Sequence, residues 1–150
     1  MDKLKLDYRK VIAASFILLS LVLGLIFFMH VSFPDSLGGY FESRYYKQYG
    51  PVAICVELFI AGYYLFKGTK KANFALALFA FTALLDIIFN LTGLFISGVP
   101  LYGMVLFFLC AIISLMIAFS NAFDLGKITV LGTIGSFIIS NAIEFYFNYS

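Results

Sequence analysis

Three carboxylates stand where an ionisable group is costly to keep. Glu57, Asp86 and Glu144 each fall inside a long apolar run of the 150-residue chain. A charged side chain at membrane depth costs several kcal/mol, so such groups by default mark the paths of protons, ions or polar solutes. Asn90 follows Asp86 by one helical turn, and Asn141 stands just before Glu144. No lysine or arginine lies at matching depth, so Asp86 is expected to be protonated, hydrated or shared with a cation. The expected chemistry is binding of a proton, a cation or a polar small molecule such as an amine. The expected site is Glu57, Asp86, Asn90, Asn141 and Glu144, with His30 a candidate donor on a proton path at the outer interface.

Other chemistries lack their residues. No GxGxxG, GxxxxGK[ST] or HExxH pattern occurs, which removes nucleotide and zinc-protease readings. Cys55 and Cys110 stand alone in apolar runs without CxxC spacing. One histidine cannot build a haem or zinc site, so no metal or cofactor is evident. No serine or cysteine has a base at a recognisable spacing, so an enzyme is not the expected reading. A net charge of +2, evenly spread, is too small for a nucleic-acid surface.

The elements that position the acids follow from composition. Hydrophobic residues make up 63 % of the chain, charged residues 12 %, and the mean hydropathy is +1.01. So few charges cannot cover a soluble fold, so the class is an all-α, polytopic integral membrane bundle in a single domain. Runs long enough to cross a hydrocarbon core number five, at about 11–31, 51–66, 73–97, 101–120 and 128–147. The Gly98-Val99-Pro100 break divides the third from the fourth, because proline lacks an amide and biases its predecessor away from helix.

Orientation follows from the basic residues. If the amino terminus is inside, the inner segments hold Lys3, Lys5, Arg9, Lys10, Lys67, Lys70, Lys71 and Lys127, and the outer ones hold only Arg44 and Lys47. The positive-inside rule then predicts an internal amino terminus and an external carboxyl terminus. Tyr40, Tyr45, Tyr46, Tyr49, Tyr102, Tyr146 and Tyr149 fall at the outer interface, where a ring is buried and its hydroxyl wet. The outer segment 36–49 reads as a short interfacial helix or a loop with aromatic anchors. On this topology Glu57, Asn90 and Asn141 lie roughly 10 Å below the outer edge, Glu144 a turn shallower, and Asp86 near the midplane.

Helical phase predicts convergence. Thr82, Asp86, Asn90, Gly93 and Ser97 form one stripe on the third span; Gly132, Ser136, Ser140 and Glu144 form another on the fifth. Small and hydroxylated residues at this spacing serve either close helix packing or the lining of a cavity.

The run from Gly50 to Gly68, with Glu57 early, Gly62 after it and Lys67-Gly68 at the turn, followed by Lys70, Lys71 and the Ala/Leu-rich stretch 75–83, resembles the second and third helices of DoxX-like membrane proteins. The resemblance covers about a third of the chain and would carry over Glu57, Gly62 and Gly68. It implies a small four-helix protein, in some members tied to quinone-linked oxidation of sulfur compounds, in a bacterial-type cytoplasmic membrane. This chain adds a fifth hydrophobic segment. Three functions follow as expectations: transport or ion coupling, a membrane subunit of a quinone-linked redox system, and a structural or assembly subunit. A chain this short suits a homo-oligomer or a partner subunit within the lipid bilayer.

Overall fold

The computed structural model describes residues 3–149. Among them lie five helices long and apolar enough to span a membrane: α1 (Lys3–Met29), α3 (Gly50–Lys67), α4 (Lys71–Thr92), α5 (Leu101–Phe119) and α6 (Val130–Tyr149). The short α2 (Ser43–Lys47) follows a 3-10 turn at Leu37–Phe41, so the interfacial segment is two brief pieces rather than one helix. Gln48 ties this segment to the end of α1 by accepting from the Ser32 amide at 2.8 Å and donating to its carbonyl at 3.3 Å. The Tyr45 ring packs edge-on against Tyr40, Tyr46 and Tyr49.

The helices start and stop where local chemistry dictates. Pro51 sits in the first turn of α3, where a missing amide costs nothing. Thr129 caps α6, its hydroxyl accepting from the Gly132 amide at 3.0 Å. Helix α1 starts at Lys3, well before the expected 11, and the departure that bears on the acids is at the end of α4, which stops at Thr92 rather than near Ser97. Gly93 takes φ +75°, a left-handed conformation open to glycine at little cost, and the chain then turns back toward the bundle.

Alternation of the five helices gives the bundle a tyrosine-rich face, bearing residues 30–49 and 93–100, and a lysine-rich face. Helix α4 is the hub, packed against α3, α5 and α6, while α1 packs on α3. Rings from three helices meet in the core: Phe107 of α5 lies edge-on to Phe27 of α1 at 6.2 Å and to Phe79 of α4 at 6.1 Å. Thus α1, α3, α4 and α5 close a four-helix bundle, and α6 lies against its α4 side. The outward faces are apolar, as with Leu18, Leu25, Ile134 and Ile138, which suits lipid rather than water.

Small residues set the seams. A Cβ added at Gly62 would stand 3.0 Å from Ile17 Cγ1 and 3.1 Å from both the Ala13 carbonyl and Phe16 Cβ, so α1 and α3 approach closely there. At the lysine-rich face the buried Arg9 guanidinium lies against Gly68, at the carboxyl end of α3, where the helix dipole favours a cation.

Replacing Gly62 by leucine should therefore push α1 off α3 and cost about 1–3 kcal/mol or more through overpacking. Thermal unfolding in detergent is the measurement; Gly38→Ala, where an added Cβ meets nothing within 4 Å, should leave the midpoint unchanged.

Candidate functional site

The three acids occupy one level of the bundle on three helices. Glu57 lies seven residues into α3, Asp86 six residues before the end of α4, and Glu144 five before the end of α6. At 1.5 Å per residue these are depths of about 10, 9 and 8 Å from the tyrosine-rich end. Asp86 is thus not near the midplane, because α4 ends earlier than its hydrophobic run. All three are buried, at 8, 5 and 4 % exposure, and the Glu144 carboxyl is within electrostatic reach of both Asp86 and Glu57.

Serines bring α6 to this position. Its buried residues are Ser136, Ser140 and Glu144, one line along the helix. The Ser140 hydroxyl is within hydrogen-bonding distance of the Leu78 carbonyl on α4, at 3.0 Å, and of the Ser136 carbonyl, at 2.8 Å. The same Leu78 carbonyl accepts from the Thr82 hydroxyl at 3.0 Å. The serine stripe therefore packs helices at its lower part and delivers a carboxyl at its upper end.

Each acid meets a different environment. Asp86 Oδ2 accepts from the Ser97 hydroxyl at 2.6 Å. Ser97 is held in turn, its amide donating to Asn90 Oδ1 at 3.0 Å and its Oγ accepting from the Val99 amide at 3.0 Å. Glu144 Oε2 accepts from Asn148 Nδ2 at 3.2 Å. Glu57 has neither arrangement: both carboxyl oxygens are buried outside hydrogen-bond geometry, and the one polar side chain beside them, Thr82, has its hydroxyl within 3.0 Å of the Leu78 carbonyl. The described residues hold no ion pair involving these acids, and no group of three or more His, Cys, Asp and Glu close enough to hold one metal ion.

Residues 94–99 lid the site. They turn back from Gly93 so that Ser97 reaches Asp86, and Gly98 packs on Pro51 at the start of α3. Tyr149 donates to the Leu94 carbonyl at 2.9 Å, and Phe95 lies between Phe89 and Tyr149. Two pockets flank this lid. One, of about 440 Å³, is lined by Lys47, Gln48, Phe95, Ile96, Gly98 and Asn148, and Asn148 links it to Glu144. The other, of about 480 Å³, includes His30, Gln48, Pro51, Gly98 and Tyr102.

The expected site residues divide accordingly. Glu57, Asp86 and Glu144 come together, and Asn90 joins them through Ser97. Asn141 spends its amide on the Phe137 carbonyl at 2.8 Å, within its own helix. His30 is exposed, its Nδ1 2.7 Å from the Ile26 carbonyl, and it lines the second pocket without touching an acid. Asn148, the partner of Glu144, is not among the expected residues; its i, i+4 spacing from Glu144 is the signal in the sequence that marks it. Helical phase puts Ser97 on the stripe, but it reaches Asp86 through a turn that helical phase does not describe.

Ser97→Ala should release the lid. Losing the bond to Asp86 and the acceptor for the Val99 amide is expected to cost about 1–3 kcal/mol, with faster hydrogen exchange at Val99. Thr92→Ala, which removes only a bond to the Phe89 carbonyl on its own helix, should change neither. Compared with protein-family models, curated proteins and solved structures, the chain finds no match.

Proposed function

We propose that the protein binds and passes a proton, a cation or a small polar solute at the Glu57, Asp86 and Glu144 site. The observation that carries this reading is the Glu57 carboxyl, held in the bundle with neither oxygen partnered. An ionisable group left unpaired at membrane depth destabilises a fold, and such groups by default mark the paths of protons, ions or polar solutes. Asp86 and Glu144 each have a single side-chain hydroxyl or amide donor, and Glu144 lies in electrostatic reach of both other acids, so a proton or cation arriving at Glu57 or Asp86 is felt at Glu144. The two pockets beside the lid supply approaches from the tyrosine-rich face, through Asn148 to Glu144 and past His30 and Gln48. With the lysine-rich face cytoplasmic, as the basic residues imply, this is the external mouth. A second copy or a partner subunit would complete the path toward the lysine-rich face.

A groove between α1 and α3 favours a second reading, the DoxX-like membrane subunit of a quinone-linked system. It measures about 560 Å³ and is lined by Leu21, Gly24, Leu25, Phe28, Cys55 and Phe59 among others. An apolar ring or chain fits such walls, the redox centre would belong to a partner, and the acids would relay protons.

Reconstitution into vesicles carrying an internal pH dye, under an imposed potential, tests the first reading. Wild-type protein should acidify or alkalinise the lumen above protein-free vesicles. Glu57→Gln should reduce the flux to background while the variant inserts and elutes as wild type. Wild-type flux from Glu57→Gln would overturn the reading, and intact vesicle insertion with loss of a co-purifying subunit would favour the assembly role.

A further inference from the structure

A pocket of about 350 Å³ at the lysine-rich face, on the side opposite the acids, lies between the start of α4 and the start of α6. We propose that it holds the phosphodiester of a phospholipid headgroup that also carries a hydrogen-bond donor. Lys70 and Lys127 line it from its two sides. Both are exposed, and among the described residues neither is ion-paired, the one ion pair being Lys5 with Asp124 at 3.7 Å. The first turn of α6 opens at the same place, its positive dipole end favouring an anion beside the Gly132 amide that Thr129 already caps.

Asn73 supplies the independent evidence and selects the kind of anion. It is 3 % exposed and lines the pocket. Its Nδ2 donates to the carbonyls of Gly126 at 3.1 Å and Leu125 at 3.4 Å, which leaves Oδ1 buried with no partner. An unpartnered acceptor asks for a donor, and the phosphate of a phosphodiester has none, so the donor has to come from the rest of the headgroup. A glycerol or ethanolamine headgroup offers both parts, a phosphate for the lysines and a hydroxyl or ammonium for Asn73 Oδ1. The surroundings suit a lipid as well. Val130 and Leu131 at the pocket's rim are strongly exposed, and α6 continues with Ile134 and Ile138 outward, a surface on which acyl chains can lie.

Purified protein in nonionic detergent, titrated with phosphatidylglycerol and followed by its thermal midpoint, provides the test. Phosphatidylglycerol should raise the midpoint saturably. Lys70→Ala should weaken apparent binding about five-fold, and Lys70→Ala with Lys127→Ala about thirty-fold. Lys3→Ala with Lys10→Ala removes the same charge from the same face outside the pocket and should leave the affinity unchanged. An equal loss in that control would overturn the pocket in favour of diffuse surface attraction. An equal shift with inorganic phosphate would overturn the lipid, and an equal shift with phosphatidylcholine, which lacks a donor, would overturn the role of Asn73.

Discussion

In a medium that cannot hydrogen-bond, a hydroxyl or carboxyl on a spanning helix is stabilised only when it is turned onto its own backbone or another helix. Helix α6 shows what that constraint does. Most of its surface is apolar and outward, and its buried residues are Ser136, Ser140 and Glu144 on one line. That line fits one surface of the bundle, the α4 face where the Leu78 carbonyl lies within reach of the Ser140 hydroxyl. The docking of α6, the depth of Glu144 and its proximity to the acids of α3 and α4 all follow from it.

The same constraint explains why α4 is the hub. Its buried apolar residues are mostly alanine, so three helices approach it closely, and its buried polar residues face the neighbours rather than lipid. Thr82 is satisfied within the helix, and Asp86 and Asn90 are satisfied by a loop that returns to them. The glycine after Thr92 is what permits that return. Of the three acids at this level, Glu57 is the one with neither oxygen in hydrogen-bond geometry, and this contrast separates it from Asp86 and Glu144.

Much of this was legible before any coordinates. The five spans, the serine stripe and the gathering of Glu57, Asp86 and Glu144 follow from hydropathy and helical period, because those properties act residue by residue along the chain. The end of the third span was not legible, since Leu94, Phe95 and Ile96 are as apolar as a helix interior and only Gly93 marks the stop. Its consequence, Asp86 nearer the surface and Ser97 folded onto it, depends on contacts between α4 and a loop that no period encodes. Asn141 shares the stripe's neighbourhood, yet the nearby Phe137 carbonyl takes its amide. The lysine-face pocket has no signal in the period for the same reason: Lys127 is separated from Lys70 and Asn73 by the rest of α4, by α5 and by the loops that follow them.

If the Glu57 carboxyl is kept for its ionisable chemistry, it is kept at the expense of stability. Glu57→Leu fills nearly the same volume without a polar group, and its unfolding free energy in lipid bicelles measures that expense. A gain of about 1–3 kcal/mol over wild type is expected, because an unpartnered buried polar group is replaced by one that needs no partner. A loss of stability on this substitution would contradict it, showing that the carboxyl holds the bundle together.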